Sequence, residues 1–270
     1  MGTKLFIERG ESQDIIYKTR KAKCRYHILQ VPHIFVLTLE GAEHRRRTLV
    51  KRLDDQGLSY ELFYGVDGRN GPPEEYERLI DRQSAQENLG RPMGDAVFAC
   101  ALSHNRIYQK IVERGMSCAI ILEDDITLSD QLVPFFDGIS EAPCDMLLLG
   151  YSKGRFSRRN VLHFGDKLRA HKVLLAPYGA TGYMVTNFAA SWFIKYSHKI
   201  AYVADWPFDI TAIDSRAVVP GLVHHSQTAE NLSTLQKSRS QVRVKSSSKR
   251  FLKLSYWKQW WIKRFGMKLV

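Results

Sequence analysis

Apolar positions along this chain recur with two different periods. Residues 34–39 form a short, nearly continuous apolar run, the mark of a strand buried on both faces. Leu49, Val50 and Leu53 then share one helical face, and the pattern ends near Gly57. Residues 60–66 read as a second strand. A charged segment at 72–88 reads as a helix opened by proline. Residues 96–113 carry a long, mainly apolar helical pattern stopped by Gly115. Buried strands are expected at 118–122 and 146–149, a helix at 187–196 and a strand-like run at 217–223. Alternating strands and helices predict an α/β fold, one domain with a mainly parallel sheet and helices on both of its faces.

Three regions follow from this map. Residues 1–32 are mixed and polar, an extension punctuated by Pro32. The body spans 33–235. The tail, 236–270, opens with a basic Ser-rich linker containing Ser246-Ser247-Ser248 and ends in an aromatic stretch. With 270 residues and 44% hydrophobic positions, the chain has enough apolar surface for a sizeable core. Cys24, Cys100, Cys118 and Cys144 show no paired spacing, which points to a reducing compartment rather than a disulfide framework. No run approaches the ~20 apolar residues of a membrane span, and the N-terminus lacks a continuous apolar signal core. The expectation is a cytoplasmic protein, peripheral on the cytoplasmic face of the inner membrane.

Charge changes the picture at one end. The net charge is +12, yet no acidic residue follows Glu230, while eleven Lys and Arg do. The body is therefore close to neutral and the tail is a separate basic element. A dedicated nucleic-acid binder carries its positive charge on the folded face, so that class is disfavoured.

The chemistry concentrates at Ala119-Ile120-Ile121-Leu122-Glu123-Asp124-Asp125, where an apolar strand runs into three carboxylates. Ligands of open α/β sheets bind just beyond the carboxyl ends of strands. Adjacent carboxylates repel, and a hard divalent cation, Mn²⁺ or Mg²⁺, resolves that repulsion while bridging to phosphate oxygens. A solvated acidic turn is the alternative. A metal-dependent nucleotidyltransferase or phosphohydrolase would share such a site.

Four ordered segments now carry a resemblance. They are Val36-Leu37-Thr38-Leu39 with Arg45-Arg46, then Cys100-Ala101-Leu102-Ser103-His104, then Leu122-Glu123-Asp124-Asp125. The last is Tyr178-Gly179-Ala180-Thr181-Gly182-Tyr183, followed by Ala189-Ala190. Together they resemble glycosyltransferase family 25, the lipooligosaccharide glycosyltransferases. Val97 and Ala99 stand where that family usually has an acidic residue and a glycine, and Asp95 is the nearest carboxylate. The resemblance implies a GT-A-like fold, a nucleotide-diphosphate-sugar donor (UDP-galactose by analogy), a lipid-linked oligosaccharide acceptor and inversion at the anomeric carbon.

Roles follow from that resemblance. Thr38, Leu39, Arg45 and Arg46 are assigned to the donor, since an arginine fork suits phosphate oxygens; a solvated helix face is the alternative. Ser103 and His104 are assigned to the donor side, with a core histidine satisfied by a carbonyl as the rival for His104. Asp125 is the expected metal ligand, aided by Glu123 and by His225 at the end of the body. Strand alternation predicts that residues 123 and 125 point the same way. Glu123 or Asp124 would bind donor hydroxyls, with Asp124 counted among the catalytic groups. Asp205, preferred over Asp209, is the candidate base in Asp205-Trp206-Pro207-Phe208-Asp209; a helix cap is its alternative. Gly182 and Gly179 would let the backbone approach a ligand. In the tail, Phe251, Leu254, Trp261 and Phe265 lie near one helical face, which suits an anionic membrane surface. Packing on the body and nucleic-acid binding are the alternatives.

Overall fold

The computed structural model describes residues 32–137, 142–226 and 262–268. Its centre is an eight-stranded sheet in the order β2-β1-β3-β8-β5-β9-β7-β6. The strands are β1 (His33–Thr38), β2 (Glu61–Tyr64), β3 (Cys118–Glu123), β5 (Met146–Ser152), β6 (Arg155–Phe164), β7 (Leu168–Leu175), β8 (Tyr178–Thr186) and β9 (Ser215–Val219). A second, two-stranded sheet pairs β4 (Ile126–Leu128) with β10 (Val223–His225). The helices are α1 (Glu43–Asp55), α2 (Glu74–Glu77), α3 (Arg82–Leu89), α4 (Asp95–Glu113), α5 (Leu132–Asp137) and α6 (Asn187–Tyr196).

Side-chain alternation builds the two core layers. Along β1 and β3, Ile34, Val36, Ile120 and Leu122 face the layer that holds Leu49 and Leu53 of α1. Phe35, Leu37, Ala119 and Ile121 face the opposite layer, which holds Ile107 and Ile111 of α4 and Ala189 and Phe193 of α6. Each central strand is therefore apolar on both faces, as its sequence requires.

The sheet is mostly parallel but mixed: six of its eight strands share one sense, and β7 and β8 run against them. β1 runs parallel to β2 and β3, and β5 runs parallel to β9. The pairs β3–β8, β5–β8, β6–β7 and β7–β9 are antiparallel. The cause is the 155–175 hairpin. It reverses the chain after β5, so β8 returns between β3 and β5 in the opposite sense. The single helix expected at 72–88 is two helices. Asp81 accepts from Ser84 N at 2.9 Å and caps α3, while Asp81 N and Leu79 O bond to Ile200. The strand-like run 217–223 is likewise divided between β9 and β10.

The 262–268 segment packs on the body. Phe156 and Met267 exchange two backbone hydrogen bonds of 3.0 Å, and Arg155 Nε donates to Lys263 O at 3.3 Å. The other tail residues and the extension before residue 32 lie outside the described residues. Among the described residues, no helix is long and apolar enough to cross a membrane.

Candidate functional site

Because β1 and β3 are parallel neighbours with Leu37 opposite Glu123, their carboxyl ends lie side by side. Thr38, Glu123, Asp124 and Asp125 therefore meet at one edge of the sheet. A glycine floor sets their height. Gly150 of β5 is opposite Gly182 of β8, and β10 lies directly across both. A Cβ on Gly182 would come within 2.8 Å of both Val223 methyls, and one on Gly150 within 2.7 Å of Val223 O. Only glycine admits that approach. The strand so placed carries His225 opposite Ile126, and Ser226 N donates to Asp125 O at 3.0 Å. Gly182 thus seats β10, which accounts for it without a ligand.

β3 ends at Glu123, and Asp124-Asp125 form the turn into β4. The alternation expected to aim residues 123 and 125 alike stops there. Asp124 is buried and accepts from Thr38 Oγ1 at 2.8 Å. Arg45 of α1 lies across both aspartates. Its Nε donates to Asp124 Oδ1 at 2.9 Å, and Nη2 donates to Asp125 Oδ2 at 2.9 Å. The guanidinium expected to reach a phosphate is here the countercharge of the acidic pair. Burial works against the charge on Arg45, but the Asp124 and Asp125 carboxylates outweigh it and raise its pKa. Burial also pushes the Asp124 carboxyl up, with Arg45 and Thr38 pulling the other way. Arg46 donates to Glu43 at 3.0 Å and to Thr38 Oγ1 and Leu39 O at 3.4 and 3.5 Å, so it ties α1 to the end of β1. Arg47 is exposed.

Glu123 turns the other way, toward α4. Its Oε1 stands 3.4 Å from His104 Nε2. His104 is 1% exposed, and its Nδ1 lies 2.6 Å from the Tyr183 hydroxyl. Tyr183 is in turn 2.7 Å from the Tyr108 hydroxyl. A neutral imidazole offers one donor and one acceptor. Tyr108 donating to Tyr183, Tyr183 to Nδ1, and Nε2–H to Glu123 satisfies all four groups. His104 is therefore held by side chains, not by a carbonyl. Burial raises the Glu123 carboxyl, and Asp125 adds to this; His104 and His225 oppose it. Cys100, one turn before His104, completes a Cys–His–Glu group whose ligand atoms lie within 4.8 Å of one another.

Asp205 joins this side of the site. Its Oδ1 accepts from Ala180 N at 3.2 Å, and Trp206 Nε1 donates to Pro177 O at 2.7 Å. The loop is thereby fastened to the start of β8. The helix cap falls on Asp209, which accepts from Thr211 N at 3.0 Å. Ser103 does not reach the site. Its Oγ accepts from Val66 N at 2.8 Å and donates to Ala99 O at 2.7 Å. Val97 packs against the cluster that holds Phe98, Leu102 and Ile200, and Ala99 lies against Gly68. Asp95 faces Arg82 at 2.8 Å instead of replacing the carboxylate at 97. Sequence reasoning assigned no role to Tyr108, Tyr183 or Cys100. Cys100, His104 and Tyr108 recur every four residues on α4, and that spacing was the available signal.

A hard cation fits one part of this arrangement. Asp125 Oδ1 is buried and has no hydrogen-bond partner among the described residues. Such an orphaned carboxylate oxygen is costly unless a cation or donor fills the space beside it. Glu123 feels the charge of both Asp125 and His225.

Comparison with known proteins agrees with the segment order. The family model "Glycosyltransferase family 25 (LPS biosynthesis protein)" matches residues 31–211. A glycosyltransferase 25 family member of Aedes aegypti is 32% identical over 99 residues, 36% of this chain and 16% of that protein. Procollagen galactosyltransferase 1 of Danio rerio is 27% identical over 96 residues, 34% of this chain and 16% of that protein. Inactive glycosyltransferase 25 family member 3 of Mus musculus is 22% identical over 241 residues, 76% of this chain and 39% of that protein. The chain thus spans between 16% and 39% of the length of these relatives. With its family match running from before β1 to beyond Asp205, and with the four segments converging on one sheet edge, the chain belongs to glycosyltransferase family 25.

Proposed function

We propose that the domain transfers a sugar, galactose first among candidates, from a nucleotide-diphosphate donor to a hydroxyl of a glycan acceptor. The observation that supports this most is the convergence of Thr38, Arg45, Glu123, Asp124 and Asp125 at one strand end, with Asp125 Oδ1 buried and unpartnered among the described residues. Asp125, with His225 on the adjoining β10, would hold a divalent cation such as Mn²⁺ or Mg²⁺. When bound there, the cation supplies countercharge to a leaving diphosphate.

The chain's own groups do the rest. Arg45 is close enough to the acidic pair to exchange a carboxylate for a donor phosphate, since its planar fork pairs with either. Asp124, locked by Thr38, fixes the turn and accepts hydrogen bonds from hydroxyls of the nucleotide-sugar donor. Asp205 is the base that takes the acceptor proton as the hydroxyl attacks the anomeric carbon and the diphosphate departs. Its Oδ1 is aimed by Ala180 N, and Trp206 beside it stands edge-on to Tyr183 at 5.7 Å. Galactose as the sugar rests on the name of the Danio rerio relative. A lipid-linked acceptor rests on the family description, and it would suit a basic tail near an anionic membrane.

The test is binding and turnover of a nucleotide-sugar panel with Mn²⁺ and with chelator, on wild type and Asp125→Ala. One UDP-sugar should bind in a metal-dependent way, and that binding should vanish in the variant. A second reading is a family member without catalysis. Two observations favour it: the relatives matching 76% of the chain are named inactive, and Arg45 bridges both aspartates. Donor binding without hydrolysis or transfer to any acceptor would select it. Absence of nucleotide-sugar binding under every metal condition would overturn the first reading.

A further inference from the structure

Glu123, Asp124 and Asp125 are consecutive, yet the fold divides them between two environments. Asp124 and Asp125 face α1 and an arginine. Glu123 faces α4, where Cys100 and His104 sit one turn apart on the same helical face. The second environment has a different chemistry. It offers one thiol, one imidazole and one carboxylate, with ligand atoms all within 4.8 Å. We propose that Cys100, His104 and Glu123 form a zinc-binding site, distinct from the hard-cation position at Asp125, through which Zn²⁺ inhibits the domain.

Ligand type argues for zinc over Mn²⁺ or Mg²⁺. A thiolate with an imidazole and a single carboxylate is a borderline-soft set, and Zn²⁺ accepts all three. The distances are close to those required. Nitrogen and oxygen ligands of one tetrahedral zinc stand about 3.4 Å apart, from bond lengths near 2.0–2.2 Å. His104 Nε2 and Glu123 Oε1 are 3.4 Å apart already. The sulfur needs a separation of roughly 3.5 Å from each, a shift of up to about 1.3 Å from the 4.8 Å limit, shared between rotation of the Cys100 and Glu123 side chains.

The imidazole is also oriented as metal-binding histidines are. Such residues give their second ring nitrogen to a fixed partner. Here that partner is the Tyr183 hydroxyl, 2.6 Å from Nδ1 and backed by Tyr108. Zinc on Nε2 places the ring proton on Nδ1, which then donates to the Tyr183 oxygen. Tyr183 in turn donates to Tyr108, because both hydroxyls serve as donor or acceptor. The Cys100 thiol releases its proton to solvent as the Zn–S bond forms, and no redox partner is needed. Burial, aided by the nearby carboxylates, raises the pKa of the free thiol. Access runs past Glu123, whose side chain is 24% exposed.

The consequence for transfer rests on the proposed function: zinc on Glu123 withdraws that carboxylate from the donor side. Binding itself does not depend on that reading, so the two are tested apart. Co²⁺ is titrated into the full 270-residue chain and followed by absorption. A single tetrahedral ion should appear with a thiolate-to-cobalt charge-transfer band, displaced by Zn²⁺. Cys100→Ser should abolish the band with the unfolding midpoint unchanged, whereas Cys24→Ser, Cys118→Ser and Cys144→Ser should retain it. Tyr183→Phe should weaken Co²⁺ affinity by about tenfold or more through loss of the imidazole's anchor. No charge-transfer band in wild type, or a band that survives Cys100→Ser, overturns the site. Where a sugar donor is turned over, Zn²⁺ should inhibit wild type at least tenfold more potently than Cys100→Ser. Equal inhibition of the two overturns the inhibitory role. If no donor is turned over, the failure belongs to the proposed function, and the cobalt spectra still decide the site.

Discussion

Gly182→Ala isolates the device that sets the geometry of the acidic edge. The added Cβ would lie 2.8 Å from both Val223 methyls and 3.0 Å from Val223 Cβ. Ordinary carbon contacts are about 3.5–4.0 Å, so something must move by close to 1 Å. Val223 has little freedom to yield. It is 3% exposed, its β-branched side chain is stiff, and its strand is held by Leu222 N donating to Leu149 O at 2.8 Å. Overpacking of this kind costs about 1–3 kcal/mol, and the rigid surroundings place this case near 2–3 kcal/mol. For a domain of this size that is a drop in Tm of roughly 5–10 °C. Val223→Ala alone should cost about 2 kcal/mol through lost burial. The double variant should recover part of the sum, because the new methyl enters the space the valine vacated. A coupling of about 1–2 kcal/mol is expected for side chains in direct contact. Urea unfolding followed by tryptophan fluorescence measures all four states of the cycle. Additivity within about 0.5 kcal/mol would refute the argument. So would an unchanged midpoint for Gly182→Ala together with weakened donor binding, since that result would make the glycine a ligand contact.

Other consequences are as direct. Arg45→Ala removes the countercharge shared by Asp124 and Asp125 and should cost about 1–3 kcal/mol, below the range for fully buried pairs because Arg45 is 37% exposed. Mn²⁺ should then raise the Tm of the variant more than that of wild type, and equal rises in a thermal-shift assay would show that arginine and cation do not share the pair. Ser103→Ala strands the buried Val66 N–H and should cost about 1–3 kcal/mol with donor KM unchanged; a changed KM at an unchanged unfolding midpoint would return Ser103 to the donor site. Burial opposes the charge on Glu61, yet hydrogen bonds from Arg114 and Lys110 bring its carboxyl down to about 2. A depressed carboxylate stabilises above its unfolded value and loses that stability as pH falls. Wild type should therefore exceed Glu61→Gln by about 1–2 kcal/mol at pH 7 after screening, and the two should converge between pH 4.5 and about 2; a constant gap across that interval would contradict the assignment.

Legibility in the sequence followed burial. β1, β3 and β5 are apolar on both faces, so each reads as a continuous run and was expected in place. β6 alternates poorly, with exposed positions at 158–160 and one fully buried residue, Phe156, which together with the half-buried ones contributes to both layers. A strand of that kind has no periodic signature, and missing it concealed the hairpin that makes the sheet mixed. α2 and α3 share one charged stretch, and the break at Asp81 depends on backbone bonds to Ile200, a partner remote in sequence. Gly150 and Gly182 were visible as glycines, but their need arises from Val223 lying across them.

The acidic triplet shows most clearly where local reasoning ends. Its position was readable, because an apolar strand running into carboxylates marks the carboxyl edge of a sheet. Its division was not, because alternation holds only while the strand lasts, and β3 ends within the triplet. The turn that follows sends Asp124 and Asp125 toward Arg45, and Glu123 remains with His104. Two neighbouring carboxylates thus answer to different partners: an arginine that competes with a hard cation, and an imidazole locked by two tyrosines. Substitutions at 123 and at 124–125 should therefore separate in their effects. Those at 124–125 should act through countercharge and respond to Mn²⁺. Those at 123 should act through the imidazole, its tyrosines and the thiol beside it, and respond to Zn²⁺. A single undivided acidic site would give the same metal response at all three positions.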